Sequence, residues 1–136
     1  RCKVMDHVLN PCKVGITCRR KSILPSNVFS ELIVYICSPY SGDVEANVAA
    51  ARRYSRFAVE QGYIPIAPHL LFPQFLNDAD PKERQLGLFF GNALMSKCSE
   101  VWVFGSHISA GMEAEINRAK WKNYRLRYFS EECMEV

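Results

Sequence analysis

The sequence predicts an α/β fold, a doubly wound parallel sheet of about four to five strands (Rossmann-like or flavodoxin-like) flanked by helices. Three observations predict it. Short runs of β-forming residues alternate with helical periodicity through residues 31–136, in the order βαβαβαβ. The first run, residues 32–37, is apolar throughout, as expected of a strand buried on both faces. The connections are long enough to hold a helix, which parallel neighbours require.

Taken in order, the first strand ends at Ser38-Pro39, and a loop follows through Gly42. Asp43 then caps a helix to about Gln61, with Glu45 in its first turn and Gly62 as its stop. Val44, Val48, Ala51, Ser55 and Ala58 mark its inner side, while Arg52, Arg53 and Arg56 face outward as a solvated surface. Residues 63–67 form a second, short strand whose Pro65 suits a sheet edge. Residues 68–77 are expected as a loop, unusually apolar for one, so they need a cover: a ligand, the domain itself or a second subunit. Asp80-Pro81-Lys82-Glu83 resembles a capping box, opening a helix to about Lys97 with Leu86, Phe90, Ala93 and Leu94 inward. Residues 100–104 give the third strand, 111–123 a helix and 125–129 a last strand.

Length and composition suit this fold. A chain of 136 residues forms one domain with a proper core, and 49% hydrophobic with 23% charged residues is ordinary for a globular protein. Residues 1–30 stand apart as a basic N-terminal extension: six basic residues against Asp6 give +5, so residues 31–136 carry −2 of the +3 total. A basic arm of this kind can touch nucleic acid or an acidic partner, but its clustering is too modest to make this a nucleic-acid-binding protein by charge alone. No apolar run approaches the roughly 20 residues of a membrane span, and the start does not read as a signal peptide. Six cysteines are expected to be reduced thiols of a cytoplasmic protein, with Cys37 and Cys98 in the core. Cys2, His7, Cys12 and Cys18 lack the tight spacing of a structural zinc site. The fingerprints of dinucleotide-binding, P-loop and nucleophile-elbow proteins are all missing, and no cofactor or metal is expected.

The chemistry concentrates where the third strand crosses to the next helix. Ligands of open α/β sheets bind outside the carboxyl ends of the strands. Free amides and the helix dipole around Gly111 favour an anion, above all phosphate. Glu113 and Glu115 follow at once. Met112, Ile116 and Ala119 share the inner face, which puts Glu115 about 60–70° from its centre, at the edge of burial. A carboxylate there is held still and partly desolvated. The same acids equally suit a helix start by dipole alone, with Glu115 paired to Arg118 one turn on.

Tyr35-Ile-Cys-Ser-Pro-Tyr40, with Ser109-x-Gly111-Met112-x-x-Glu115-Ile116, resembles the nucleoside 2-deoxyribosyltransferase superfamily, which includes nucleoside 5′-monophosphate N-glycosidases. The similarity is strongest to phage and bacterial members carrying N-V-x-x-A-R-x-Y, I-P-I-A-P-H-L-L-F-P-Q-F and E-V-W-V-F-G, here residues 47–54, 64–75 and 100–105. The resemblance covers about residues 32–130 and implies that Glu115 is the nucleophile attacking C1′ of the sugar. It implies that Ser109, Gly111 and Met112 hold the 5′ end, with Tyr35, Ser38 and Tyr40 beside sugar and base. His69 and Phe72 would wall in the base. The resembled enzymes carry an Asp on the preceding helix, where Asn92 stands here; an amide hydrogen-bonds but is no general acid. Asp43 and Glu113 are the substitutes to weigh, and His69 and His107 are further proton donors. The resemblance also implies a homodimer or larger homo-oligomer, with a nucleoside or nucleotide as small-molecule partner. A non-catalytic nucleotide-binding sensor or accessory module, or an interaction domain, would use the same features without turnover.

Overall fold

The computed structural model describes residues 31–136, so the basic extension and the Cys2, His7, Cys12 and Cys18 group lie outside the described residues. Four strands, β1 (Ile33–Cys37), β2 (Ile64–Ile66), β3 (Glu100–Phe104) and β4 (Arg125–Phe129), form one parallel sheet in the order β2-β1-β3-β4. Helices α1 (Val44–Glu60), α2 (Pro68–Leu71), α3 (Pro81–Met95) and α4 (Ala110–Trp121) connect them, with a 3₁₀ turn at Phe72–Gln74 after α2. This is the expected α/β layer with four strands.

Strand alternation divides the core into two halves. Val34, Ile36, Trp102, Phe104 and Phe129 face α1, where Tyr54 and Ala58 pack against them. Tyr35, Cys37, Val101 and Val103 face the other side, against Met95 of α3 and Met112, Ile116 and Ala119 of α4. Helices therefore cover both faces, and β1 and β3 are buried along almost their whole length. The chain leaves β1 toward β2 and leaves β3 toward β4, in opposite directions. The gap between the carboxyl ends of β1 and β3 is thus a topological switch point.

Local signals set most boundaries. Asp43 accepts from the Ala46 amide at 3.1 Å and starts α1, while Gly62 at φ +87° ends the turn that follows it. Ser109 accepts from the Met112 amide at 3.3 Å and caps α4. Pro65 sits in β2, at the sheet edge, as expected. After β4 the chain turns back: Phe129 bridges Glu135 in antiparallel fashion, and Arg127 holds Glu135 through two hydrogen bonds of 2.9 and 2.8 Å. This short return lies along β4.

Four expectations need correction. Residues 68–77 are not a plain loop, because Pro68 and Pro73 fall at first-turn positions and start two short helical pieces. The inner face of α3 carries Gly91 and Met95, while Leu86 is exposed along with Leu88 and Phe89. Val44 is exposed, and Tyr54 takes the buried place on α1. The capping box is only half formed: Asp80 accepts from Lys82, but Glu83 accepts from the Asn77 amide at 2.7 Å and ties the preceding loop to α3.

Candidate functional site

A cleft of about 220 Å³ opens at the switch point. Its floor is Tyr35 from β1 with Met112 and Glu115 from α4, and one wall is the β1–α1 loop with Tyr40 and Ser41. The facing wall comes from α2, the 3₁₀ turn and α3: His69, Phe72, Leu76, Gly91 and Asn92. Ser109, Ala110 and Gly111 line the end where α4 begins. An apolar pocket with a few convergent polar groups is the ordinary form of a small-molecule site.

Glu115 is half-buried at the edge of the inner face of α4, and its Oε1 accepts from the Tyr35 hydroxyl at 2.9 Å. Burial raises its pKa above the usual carboxylate value, opposed by the Cys37 thiol and the Tyr35 hydroxyl, which favour the charged form. Burial, with the adjoining Glu115 charge, also pushes the Tyr35 phenol and the Cys37 thiol well up, so both stay protonated as donors. Oε2 is buried without a hydrogen-bond partner among the described residues. The expected pair with Arg118 is not formed: among the described residues the Arg118 Nε is buried and unpartnered, and Glu115 makes no ion pair.

Two features let these groups meet. Gly91 of α3 sits directly over Tyr35, where a Cβ would lie 3.4 Å from the hydroxyl oxygen, tighter than most such contacts. Asn47 of α1 donates from Nδ2 to the carbonyls of Tyr40 and Ser41, at 3.0 and 3.1 Å, and holds the β1–α1 loop against the helix. Tyr40 in turn stacks on His69, with ring centroids 5.0 Å apart and 14° between planes. Burial lowers the His69 pKa, against the pull of a hydrogen bond to the Ser38 backbone and the nearby Asp78 charge. At neutral pH the ring is uncharged.

At the α4 start, Ala110 and Gly111 line the cleft end, and first-turn amides have no intrahelical acceptor. A Cβ at Gly111 would meet nothing within 4 Å, so no packing contact among the described residues accounts for this glycine. The Met112 amide is already taken by Ser109, and the Met112 side chain is core. Further out, Asp78, Glu83 and Arg84 line the cleft and give it a charged outer wall.

The cleft gathers Tyr35, Tyr40, His69, Phe72, Asn92, Ser109, Gly111, Met112 and Glu115. Four other expected residues fall outside it. Asp43 is exposed and its carboxylate caps α1, so it is not placed to act on a ligand there. Ser38 is buried behind the wall with its hydroxyl unpartnered. Glu113 and His107 are exposed and do not line the cleft. Sequence reasoning missed the roles of Asn47 and Gly91, which depend on contacts between elements. Among the described residues there is no cluster of three or more potential metal ligands and no helix long and apolar enough to cross a membrane.

Comparisons with known proteins agree on the fold. One solved structure, of a 2-deoxyribosyltransferase from the psychrotolerant bacterium Bacillus psychrosaccharolyticus, is similar with a TM-score of 0.56 and 14% identity, covering 72% of each chain. At that identity the likeness is one of fold. No curated protein matches the chain. A family match over residues 32–129 takes in all four strands and the whole cleft, and the chain belongs to the family described as Domain of unknown function (DUF7768).

Proposed function

We propose that the protein is a nucleoside or nucleoside 5′-monophosphate N-glycosidase or 2-deoxyribosyltransferase, with Glu115 as the nucleophile. The observation that carries this is the Tyr35–Glu115 hydrogen bond at the floor of a cleft whose end is a helix start. The fold likeness to a 2-deoxyribosyltransferase is in keeping with it. In this reading the Glu115 carboxylate attacks C1′, the C1′–N bond breaks, and the base departs with the bonding electrons through an oxocarbenium-like transition state. Water or a second base then attacks C1′ and frees the carboxylate. Ser109 and the first amides of α4 hold the 5′ end, and Gly111 lets it approach the backbone. The base lies between Phe72 and the Tyr40–His69 stack. Asn92 supplies hydrogen bonds but no proton, so the departing base takes its proton from water.

Chromatography for free base after incubation with a panel of nucleosides and 5′-monophosphates tests the proposal. Release from at least one is expected; a panel that yields none, with a folded protein, rejects it. Asn92 standing where the resembled enzymes carry an acid favours a second reading, a non-catalytic nucleotide-binding module. That reading expects a ligand to raise Tm with no base produced.

We further assign a second copy of the chain as the cover for Phe75, Leu86, Leu88 and Phe89, exposed on α3 and just before it. Sedimentation at micromolar concentration is expected to give at least a dimer. A monomer mass removes this assignment.

A further inference from the structure

Three glycines line the cleft, Gly87, Gly91 and Gly111, and two of them have a use already. Gly111 lets the 5′ end approach the backbone of α4, and Gly91 leaves room for the Tyr35 hydroxyl, 3.4 Å from where its Cβ would stand. Gly87, one turn before Gly91 on α3, has no such account. Its φ lies outside the left-handed region, so the backbone does not call for glycine there. Among the described residues a Cβ at this position would meet only Leu76 Cδ1, at 3.8 Å, an ordinary packing contact. Alanine would therefore fit, would add contact with Leu76 and would strengthen the helix, since glycine is a poor helix former. The helix forgoes that stability at a position where a methyl group would take space from the cleft.

The direction of α3 says what that space is for. The helix ends just before the start of β3, so Gly91, Gly87 and Arg84 stand successively nearer the carboxyl ends of the strands and the cleft mouth. Gly91 lies over Tyr35, whose hydroxyl donates to Glu115 Oε1 at 2.9 Å. Glu115 Oε2, on the cleft floor, is buried without a partner among the described residues, a polar atom left for a ligand to meet. The four-residue step from Gly91 to Gly87 carries about 6 Å toward the mouth. A sugar seated over Tyr35 and Glu115 thus lays its base along α3, against Phe72 and Gly87, with the Tyr40–His69 stack opposite. A single six-membered ring ends short of Gly87. A fused two-ring base reaches it and lies flat on bare helix backbone. Beyond Gly87, Asp78 and Arg84 line the mouth and offer an acceptor and donors to the polar edge of the second ring.

We propose that Gly87 is a specificity-determining residue that admits the second ring of a purine, so that the cleft takes purine rather than pyrimidine nucleosides. This rests on the cleft being a nucleoside or nucleotide site, as proposed above, and not on turnover. A pyrimidine enters the same space but leaves the faces of Gly87 and Leu76 uncovered and the groups at the mouth without a polar edge to meet, so it binds more weakly. The bond formed at C1′ is the same for either base, and discrimination falls to the outer wall.

The full chain is compared as wild type, Gly87→Ala and Gly87→Ser, with 2′-deoxyadenosine and 2′-deoxycytidine as probes, each with and without a 5′-phosphate. Titration calorimetry gives the dissociation constants, and chromatography follows base release in parallel. Wild type is expected to bind the purine about tenfold tighter than the pyrimidine, or better. In Gly87→Ala the added methyl is expected to weaken purine binding by about tenfold and to change pyrimidine binding by less than about twofold. The Tm of the free alanine variant is expected to rise by about 2–5 °C, which shows that the helix itself is unharmed. Gly87→Ser adds a similar volume and stands in for alanine should that variant fail to fold. Purine binding unchanged in the folded variant overturns the proposal. So does equal weakening of both probes, which marks a general disturbance of the cleft. A wild type that binds neither probe, or both equally, overturns it as well. Purine binding without base release removes the glycosidase reading and leaves the role of Gly87 standing. Adenine and cytosine released at equal rates, with both probes bound alike, keep the glycosidase reading and remove that role.

Discussion

Glu115→Gln is expected to reduce base release by about a thousandfold or more while the protein remains folded. The amide keeps an oxygen that can accept from Tyr35, so the contact at 2.9 Å has a substitute, but it removes the charge that forms the bond to C1′. Chromatographic rates for the two proteins, with circular dichroism as the control, measure this. A variant that retains a tenth of wild-type activity would rule out a nucleophilic role. The same change carries a stability signature. Burial raises the folded-state pKa of Glu115 above its unfolded value. The folded protein therefore binds more protons than the unfolded chain between those two values, and stability falls as pH rises through that window. Below the unfolded value the penalty is absent. The Tm of Glu115→Gln relative to wild type is accordingly expected to be higher at pH 8 than at pH 4, a trade of stability for function.

Trp102→Ala is expected to destabilise the fold by about 3–5 kcal/mol, the usual range for a fully buried large aromatic. Its ring meets Phe57, Tyr63, Phe104 and Phe129, with ring centroids 4.9–6.5 Å away, and the Arg127 guanidinium lies 5.0 Å above it. Its Nε1 also donates to Oε2 of the buried Glu100 at 2.7 Å. Alanine thus leaves both a cavity and a buried carboxylate short of a donor. Arg127 and Arg125 still reach Glu100, at 3.5 and 3.2 Å, which keeps the loss from growing further. Equilibrium denaturation with urea checks the figure. A loss below about 1 kcal/mol would mean that the α1 side of the sheet repacks far more freely than its stacked rings suggest.

How much of this was legible in the sequence depended on the kind of signal. β3 and α4 were readable because their patterns are strong: five consecutive strand residues buried together, then Met112, Ile116 and Ala119 inward at helical spacing with Ser109 as cap. The edge placement of Glu115 followed from the same geometry. The inner face of α3 was not readable, because hydrophobic periodicity scores large side chains. One of its two buried positions is Gly91, a residue with none, set against Tyr35. Ser38 was placed beside the ligand from its position in the chain, yet strand alternation carried one residue beyond Cys37 already puts it opposite Tyr35. Asp43 had its cap visible in sequence, and that cap is what removes its carboxylate from the cleft. Asn47 holds the loop before its own helix, and Tyr35 reaches Glu115 across 80 residues of sequence. No local pattern encodes such contacts.

The central claim is a covalent bond between one carboxylate and an anomeric carbon. Brief incubation with a substrate that releases base, an acid quench and peptide mass spectrometry test it most directly. The account predicts a pentosyl or phosphopentosyl adduct on the peptide containing Glu115, fragmenting at that residue and absent from Glu115→Gln. Base release at an undiminished rate from Glu115→Gln, with no adduct on the wild-type peptide, would contradict it.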